Sequence, residues 1–395
     1  MALPEVHLIC GTRTQAVRLA PVAAAMREAG VVAPVLVAGG RYPAMAGQAL
    51  TAFGLFPDVT LRVERGAGSR SELRTEMIRR LDELWTERPP AAALVQGDTT
   101  TSLAGALAAC WRRIPVVHLE AGQRGDHLGS SFPEEADRRL IAQVATLHLT
   151  ATPLAAMNLL DEDVATGDVL ITGNTVVDAA HTVAGRRLPF VNLEVAAVRA
   201  AAADRRLLVV AVRRRESWGA ALDRVLAAVR RLVERYADLD VIIATDPNPA
   251  VRAQAHAGIG DVDRVMITGS LPHQDLTRLL SEAYLVLTDT ADLQQEARSF
   301  GVPALVLLED ADPAGSAAGG ARLVGSDDAT IVEEAAALLD SRVRRDAMTA
   351  GGNPYGDGLA ARRVAQATAA LLGLADHPDP MPALGSYAGA YGASF

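Results

Sequence analysis

The chain contains no lysine; all 38 of its basic residues are arginine. This excludes Schiff-base catalysis of the pyridoxal-phosphate or aldolase kind, which needs a lysine amine. It also excludes a P-loop, whose lysine reaches the β- and γ-phosphates. Phosphate recognition must fall to guanidinium groups, backbone N–H groups or hydroxyls. Cysteine is nearly absent: Cys10 and Cys110 stand inside the apolar runs VHLIC and ALAAC, where both read as small buried hydrophobes. The eight histidines are scattered, and neither HExxH nor CxxC occurs, so no metal site is expected. No GxGxxG follows the first apolar run, which removes the nicotinamide and flavin dinucleotide fingerprint; no cofactor is expected. The fragment Gly66-Ala67-Gly68 follows no strong strand and reads as a plain loop. No apolar run is long enough to span a membrane, and MALPEVHLICGTR lacks a charged region ahead of a signal-type stretch. A soluble, cytoplasmic protein is expected. Acidic residues outnumber basic ones 47 to 38, the pI is near 5.4 and no basic block occurs, which argues against a nucleic-acid partner.

What is present is ordinary globular composition, 50% hydrophobic and 22% charged, in 395 residues, a length that suggests two domains each with its own core. Short apolar runs alternate with helical patterns throughout. Glu5–Cys10, Val32–Val37, Ala92–Gln96, Val116–Leu119 and Leu170–Thr172 read as strands, with a first helix from about Gln15 to Ala29. After the turn signal Gly173-Asn174-Thr175 the pattern restarts. An Ala-rich helix precedes the strand Arg206–Val212, the helix Trp218–Tyr236 follows it, and further strands fall at Val241–Ala244, Val265–Thr268, Tyr284–Thr288 and Pro303–Leu308. Such alternation predicts parallel, doubly wound sheets. The fold class is therefore α/β, with two Rossmann-like domains facing a cleft. Residues 1–172 form the first domain, 173–360 the second, and 361–375 a helix returning to the first; 376–395, rich in Pro, Gly, Ala and Tyr, reads as a poorly ordered tail.

Ligands of doubly wound sheets bind beyond the carboxyl ends of the strands. The loops there carry Gly97-Asp98-Thr99-Thr100-Thr101 after one strand and His118-Leu119-Glu120-Ala121-Gly122 after another. Phe132-Pro133-Glu134-Glu135-Ala136-Asp137-Arg138-Arg139 then opens a helix. Asp98, Glu120 and Glu134 thus emerge near one cleft. Clustered carboxylates raise one another's pKa, which suits proton transfer near neutral pH. A purely structural alternative stays open: an N-cap aspartate, a solvated glutamate, and a first-turn glutamate complementing the helix dipole.

The chain resembles the non-hydrolysing UDP-N-acetylglucosamine 2-epimerases. The resemblance rests on GTRTQAVRLAPV (11–22), QGDTTTSLAGALAA (96–109), IPVVHLEAGQR (114–124), FPEEADRRL (132–140), ITGNTVVDA (171–179), RRESWG (214–219), LTDTADLQQEA (287–297), RLVGSD (322–327) and NPYGDG (353–358). These follow the family's order and span roughly residues 5–372. The resemblance implies a two-domain glycosyltransferase-B fold, a UDP-sugar substrate and a homodimer. It also implies a reaction that removes the C2 proton of UDP-GlcNAc, expels UDP, and adds both back across a 2-acetamidoglucal with C2 inverted. On matching positions, Asp98, Glu120, Glu134 and Arg213 are the implied catalytic residues. Arg13, Arg18, Arg138, Leu276, Thr290, Ala291, Asp292 and Glu296 are the implied substrate-binding residues. Among them Arg138 is a candidate for fixing Glu134 or a phosphate, with a surface ion pair as the alternative. Arg13 fits diphosphate binding, and Glu296 matches a glutamate on the ribose hydroxyls.

The chain departs from the family at several of these positions. Arg213 stands where the family has a histidine thought to assist departure of UDP. A guanidinium does not hand over a proton at neutral pH but still neutralises charge on a phosphate. Losing one general acid typically costs about 10²–10⁴-fold. The family's Ser-Gly-Gly is here Thr290-Ala291-Asp292, and a carboxylate about 4–6 Å from a phosphate costs about 3–4 kcal/mol unless it turns away or pairs with an arginine. Thr14-Gln15 replaces Pro-Glu, Arg18 a lysine, Asp246 a histidine, and Glu309-Asp310-Ala311-Asp312-Pro313 a segment with a basic residue. Three readings follow: a divergent 2-epimerase in an amino-sugar pathway, a nucleotide-sugar hydrolase or transferase of the same fold, or a non-catalytic nucleotide-sugar-binding homologue.

Overall fold

The computed structural model describes residues 2–63, 69–125, 127–129, 132–202, 204–308 and 320–382. The Gly66-Ala67-Gly68 fragment, the acidic stretch Glu309–Pro313 and the tail beyond residue 382 lie outside the described residues. The chain divides into two units, Met1–Thr182 with Tyr355–Pro382, and Val183–Pro354.

In the first unit β1 (Glu5–Cys10), α1 (Arg13–Ala29), β2 (Ala33–Ala38), α2 (Pro43–Thr51), β3 (Val59–Thr60), α3 (Arg70–Glu87), β4 (Ala92–Gln96) and α4 (Thr100–Trp111) come first. They are followed by β5 (Val116–Ala121), α5 (Glu134–Val144), β6 (Leu147–Thr150), α6 (Pro153–Leu160), β7 (Val169–Ile171) and α7 (Thr175–Gly185). The strands form one parallel sheet in the order β3-β2-β1-β4-β5-β6-β7. Alternate residues of β1 serve opposite faces. Leu8 and Cys10 join α1 in one apolar cluster, while Ile9 joins Met77, Leu81 and Trp85 of α3 in another. That is the period-two geometry of a strand buried on both sides. Removing one such side chain, as in Leu8→Ala, costs about 2–5 kcal/mol.

The second unit runs α8 (Leu193–Ala201), β8 (Arg206–Val212), α9 (Ala220–Arg235), β9 (Leu239–Thr245), α10 (Pro249–Ile259), β10 (Val265–Thr268) and α11 (His273–Glu282). It continues with β11 (Leu285–Thr288), α12 (Ala291–Ser299), β12 (Ala304–Val306), β13 (Ala321–Leu323), α13 (Asp328–Asp340) and α14 (Arg342–Thr349). Its parallel sheet is ordered β10-β9-β8-β11-β12-β13. The last helix, α15 (Ala360–Leu371), belongs to the first unit, where Val364 and Ala365 share the cluster with α1.

Each sheet reverses its winding once, between β1 and β4 in the first unit and between β8 and β11 in the second. Both units are Rossmann-like, and these reversals are the switch points where such sheets take ligands.

Four strands coincide with the sequence reading: Glu5–Cys10, Ala92–Gln96, Arg206–Val212 and Val265–Thr268. β3, β6 and β13 were not anticipated, being only two to four residues long. β5 continues past Leu119 through Glu120 to Ala121. One expectation is corrected. Cys10 is buried, but Cys110 is exposed. α4 is built almost wholly of small residues, so composition could not say which of them face outward; Cys110 and Trp111 end on the exposed side. Among the described residues no helix is long and apolar enough to cross a membrane.

Candidate active site

At the first switch point the backbone after β1 runs close to α4. A Cβ on Gly11 would lie 2.2 Å from Thr101 Oγ1, so only glycine fits there. Thr12 caps α1 by accepting from the Gln15 N–H. The buried Gln15 amide then joins the two loops. Its Nε2 donates to Gln96 O at 2.9 Å, Thr99 Oγ1 at 3.0 Å and Ser102 Oγ at 2.7 Å. Its Oε1 accepts from Gly11 N at 2.8 Å.

Glu120 departs from ordinary strand geometry. It has φ 64, and the register of β5 against β6 shifts between Leu119 and Ala121. A non-glycine residue at positive φ costs of order 1–3 kcal/mol and persists only where its surroundings hold it. Here Arg18 of α1, Gln96 Nε2, Gln123 Nε2 at 3.3 Å and Asn174 Nδ2 at 3.0 Å all donate to its carboxylate. Both partners of the Arg18–Glu120 pair are buried. The bulge re-aims the glutamate from the strand toward these donors.

Asp98 leaves β4 after Gly97, one strand over. Gln96 pairs with Leu119 across the sheet, so Asp98 and Glu120 issue from neighbouring strand ends. Arg138 of α5 donates to Asp98 Oδ2 through Nε at 2.7 Å, and its Nη2 makes an ion-pair contact with the same oxygen at 2.6 Å. Arg138 was expected to fix Glu134 or a phosphate; its partners here are Asp98 and Glu135, whose Oε2 takes Nη1 at 3.3 Å. Glu134, the first residue of α5, is partly exposed and lies 3.6 Å from Arg70. Arg74, a turn further along α3, grips Asp137 at 3.0 and 3.2 Å. Burial, partly offset by Arg74, raises the Asp137 carboxyl above its ordinary value, with Glu134 and Asp98 adding repulsion. Under these loops His118 donates from Nε2 to Gly97 O at 2.9 Å. Burial drives His118 down to about 3 and its β6 neighbour His148 to about 4, so both are neutral at physiological pH.

At the second switch point Asp289, wholly buried after β11, accepts the backbone N–H of Arg213 at 3.0 Å and of Arg214 at 2.8 Å. This fixes the chain leaving β8. Thr290 precedes α12 at the N-cap position without a capping side-chain bond, its hydroxyl lying 3.1 Å from that of Thr288. Ala291 and Asp292 are the first two residues of α12, Ala291 exposed and Asp292 half-buried. Glu296, one turn on, is buried 4.0 Å from His273 of α11. Leu276, also on α11, is buried. Arg13 stands half-buried at the first position of α1.

The sequence reading gave no role to Gln15 as a bridge, to Glu135, to Asp289 or to His273. Glu135 left a signal. It stands three and four positions before Arg138 and Arg139, the spacing of helical ion pairs. Asp289 left none, because its partners are backbone groups 75 and 76 residues away. Among the described residues no group of His, Cys, Asp and Glu is placed to hold a metal.

Two Rossmann-like units with ionisable groups at both switch points define an α/β protein of glycosyltransferase-B type. A family model for UDP-N-acetylglucosamine 2-epimerase matches residues 24–369. The UDP-N-acetylglucosamine 2-epimerase of Bacillus subtilis is 33% identical over 365 residues, 92% of this chain and 94% of that protein. That of Escherichia coli K12 is 34% identical over 377 residues, 92% and 98% of the two chains. The crystal structure of the UDP-GlcNAc 2-epimerase from Neisseria meningitidis bound to UDP-GlcNAc superposes with a TM-score of 0.83 at 30% identity, covering 93% of this chain and 100% of that one. The chain belongs to the UDP-N-acetylglucosamine 2-epimerase family.

Proposed function

We propose that this protein interconverts UDP-GlcNAc and UDP-ManNAc. The observation that carries the reading is the pair of carboxylates at adjacent strand ends, Asp98 and Glu120, each engaged by its own arginine. Family membership supports the choice of substrate. Inversion at C2 requires a proton to leave one face of the sugar and return to the other, work that acid/base groups on the two faces can share and that carboxyl groups can do. The C2–H electron pair forms the C1=C2 double bond of 2-acetamidoglucal as the C1–O bond breaks and UDP leaves with its electrons. Re-addition of UDP to C1 and of a proton to the opposite face of C2 completes the cycle. Asp98, Glu120 and Glu134 take the acid/base and positioning roles in this reading. Of the three, Glu134 has no guanidinium within hydrogen-bond distance among the described contacts.

The first unit then carries the sugar chemistry and the second the nucleotide. Arg213 and Arg13 neutralise the departing diphosphate, and Arg138 and Arg18 hold Asp98 and Glu120. Thr290 and Ala291, with the N–H groups opening α12, meet phosphate oxygens, and Asp292 borders them. Leu276 and Glu296 hold the nucleoside, Glu296 through the ribose hydroxyls. A place in amino-sugar biosynthesis, a cytoplasmic location and a homodimeric state belong to the same reading and are supported by the family resemblance.

Incubation with UDP-GlcNAc in D₂O, followed by proton NMR, tests it. Deuterium at C2 with UDP-ManNAc appearing is the expected result. No exchange, no UDP-ManNAc and no free UDP at high enzyme concentration would leave a binding protein. UDP release without epimer would leave a hydrolase or transferase.

A further inference from the structure

Glu135 is a carboxylate with no exposed surface, one residue from the accessible Glu134. A buried charge must be paired, and taking away one partner of such a pair alone is strongly destabilising. Its partners show what the pairing does. Oε2 accepts from Gly125 N at 3.0 Å and from Arg138 Nη1 at 3.3 Å, and Oε1 accepts from Arg139 Nε at 2.9 Å. The guanidinium of Arg138 is a rigid plane. Holding its Nη1 corner fixes the Nε and Nη2 edge, and that edge meets Asp98. Both of those contacts fall on Oδ2 of Asp98, which leaves Oδ1 to take or deliver a proton.

We infer that Glu135 is a positioning residue for the reaction: it divides Arg138 between two carboxylates and so sets how Asp98 presents Oδ1. This rests on the epimerase reading, in which Asp98 works at C2. With the charge of Glu135 removed, Arg138 is free to turn both of its edges onto Asp98, and the loop at Gly125 loses part of its anchor. The role is distinct from that of Glu134, which faces solvent from the same helix start.

The test uses Glu135→Gln, which keeps an acceptor for Gly125 N, and Glu135→Met, which fills the same volume, should the first not fold. In the full-length protein labelled with ¹⁵N-arginine, the Arg138 Nε–H signal is identified by its absence from Arg138→Gln. It should shift, and exchange with water about tenfold faster, in the Glu135 variant. Turnover should fall about 10–100-fold, with KM within about twofold, the effect of an acid/base group displaced by a fraction of an ångström to an ångström. In an Asp98→Asn background the same substitution should change the residual rate less than about twofold, because the two residues act as one unit. An unmoved Arg138 signal overturns the inference. So does a loss of turnover of equal factor with and without Asp98. A wild-type protein without C2 exchange removes the epimerase reading instead, and the NMR arm still decides whether Glu135 sets Arg138.

Discussion

Arg18 and Glu120 form a buried ion pair that joins the first turns of α1 to a glutamate at φ 64. Three further donors to Glu120 are neutral amides, whereas Arg18 brings a positive charge against it. Arg18→Met should therefore cost about 3–5 kcal/mol, the usual penalty for a buried charge left alone. Arg18→Lys, which keeps the charge, should cost clearly less. Urea unfolding of both variants checks this, and equal midpoints would show that the charge is not what holds Glu120.

In the proposed reaction, Arg213 separates two ways of releasing UDP. A guanidinium offers charge but no proton at neutral pH, so this position should contribute no ionisation to the wild-type kcat profile. Arg213→His should introduce one near the ordinary histidine value of about 6.5. If proton delivery limits the reaction, kcat should rise by up to about 10²-fold. An unchanged kcat across pH 6–9 would mean that charge neutralisation alone suffices.

Asp178 should make stability pH-dependent. Its side chain is buried on α7 and accepts the Ala361 N–H at 2.9 Å, near the start of α15. Burial, partly offset by such backbone bonds, raises it from 3.8 to about 6. The folded protein thus holds this proton more tightly than the unfolded chain does. Its stabilising contribution is fully present below about pH 4 and is lost as pH rises through about 6, a fall of order 2–3 kcal/mol. Asp178→Asn keeps the acceptor oxygen and should flatten the dependence in that window. Urea midpoints at pH 4.5 and 7.5 measure the slope; an identical slope in the variant refutes the assignment.

The two thiols should differ in reactivity. Burial pushes Cys10 up to about 12, whereas Cys110 is exposed. Since the thiolate is the reacting form and must be reached, one thiol per chain should react with a disulfide reagent in the native state and both in denaturant. Rapid native reaction of both would contradict the burial of Cys10.

Much of this was legible in the chain because strands and loops obey local rules. The alternation of apolar runs with helical periods placed β1, β4, β8 and β10 to the residue, and the local motifs pointed to Asp98 just after β4 and Glu120 near the end of β5 as candidates. Absence was equally informative: without lysine, each side-chain cation that stays charged at any ordinary pH had to be arginine, as Arg18 and Arg138 are in the first unit and Arg213 is in the second.

Which carboxylate each arginine would meet was a different kind of question. The pairs Arg18–Glu120 and Arg138–Asp98 span 102 and 40 residues, and side-chain pairing at that range depends on strand order and on where a bulge aims one glutamate. The same holds for Asp289, whose partners are backbone groups that every residue possesses. Sequence by itself determined the element types, the parallel winding and the residue kinds at the strand ends. The tertiary structure decided the pairings, because local propensity acts over a few residues whereas a charge is oriented by whatever the fold brings within about 3 Å of it.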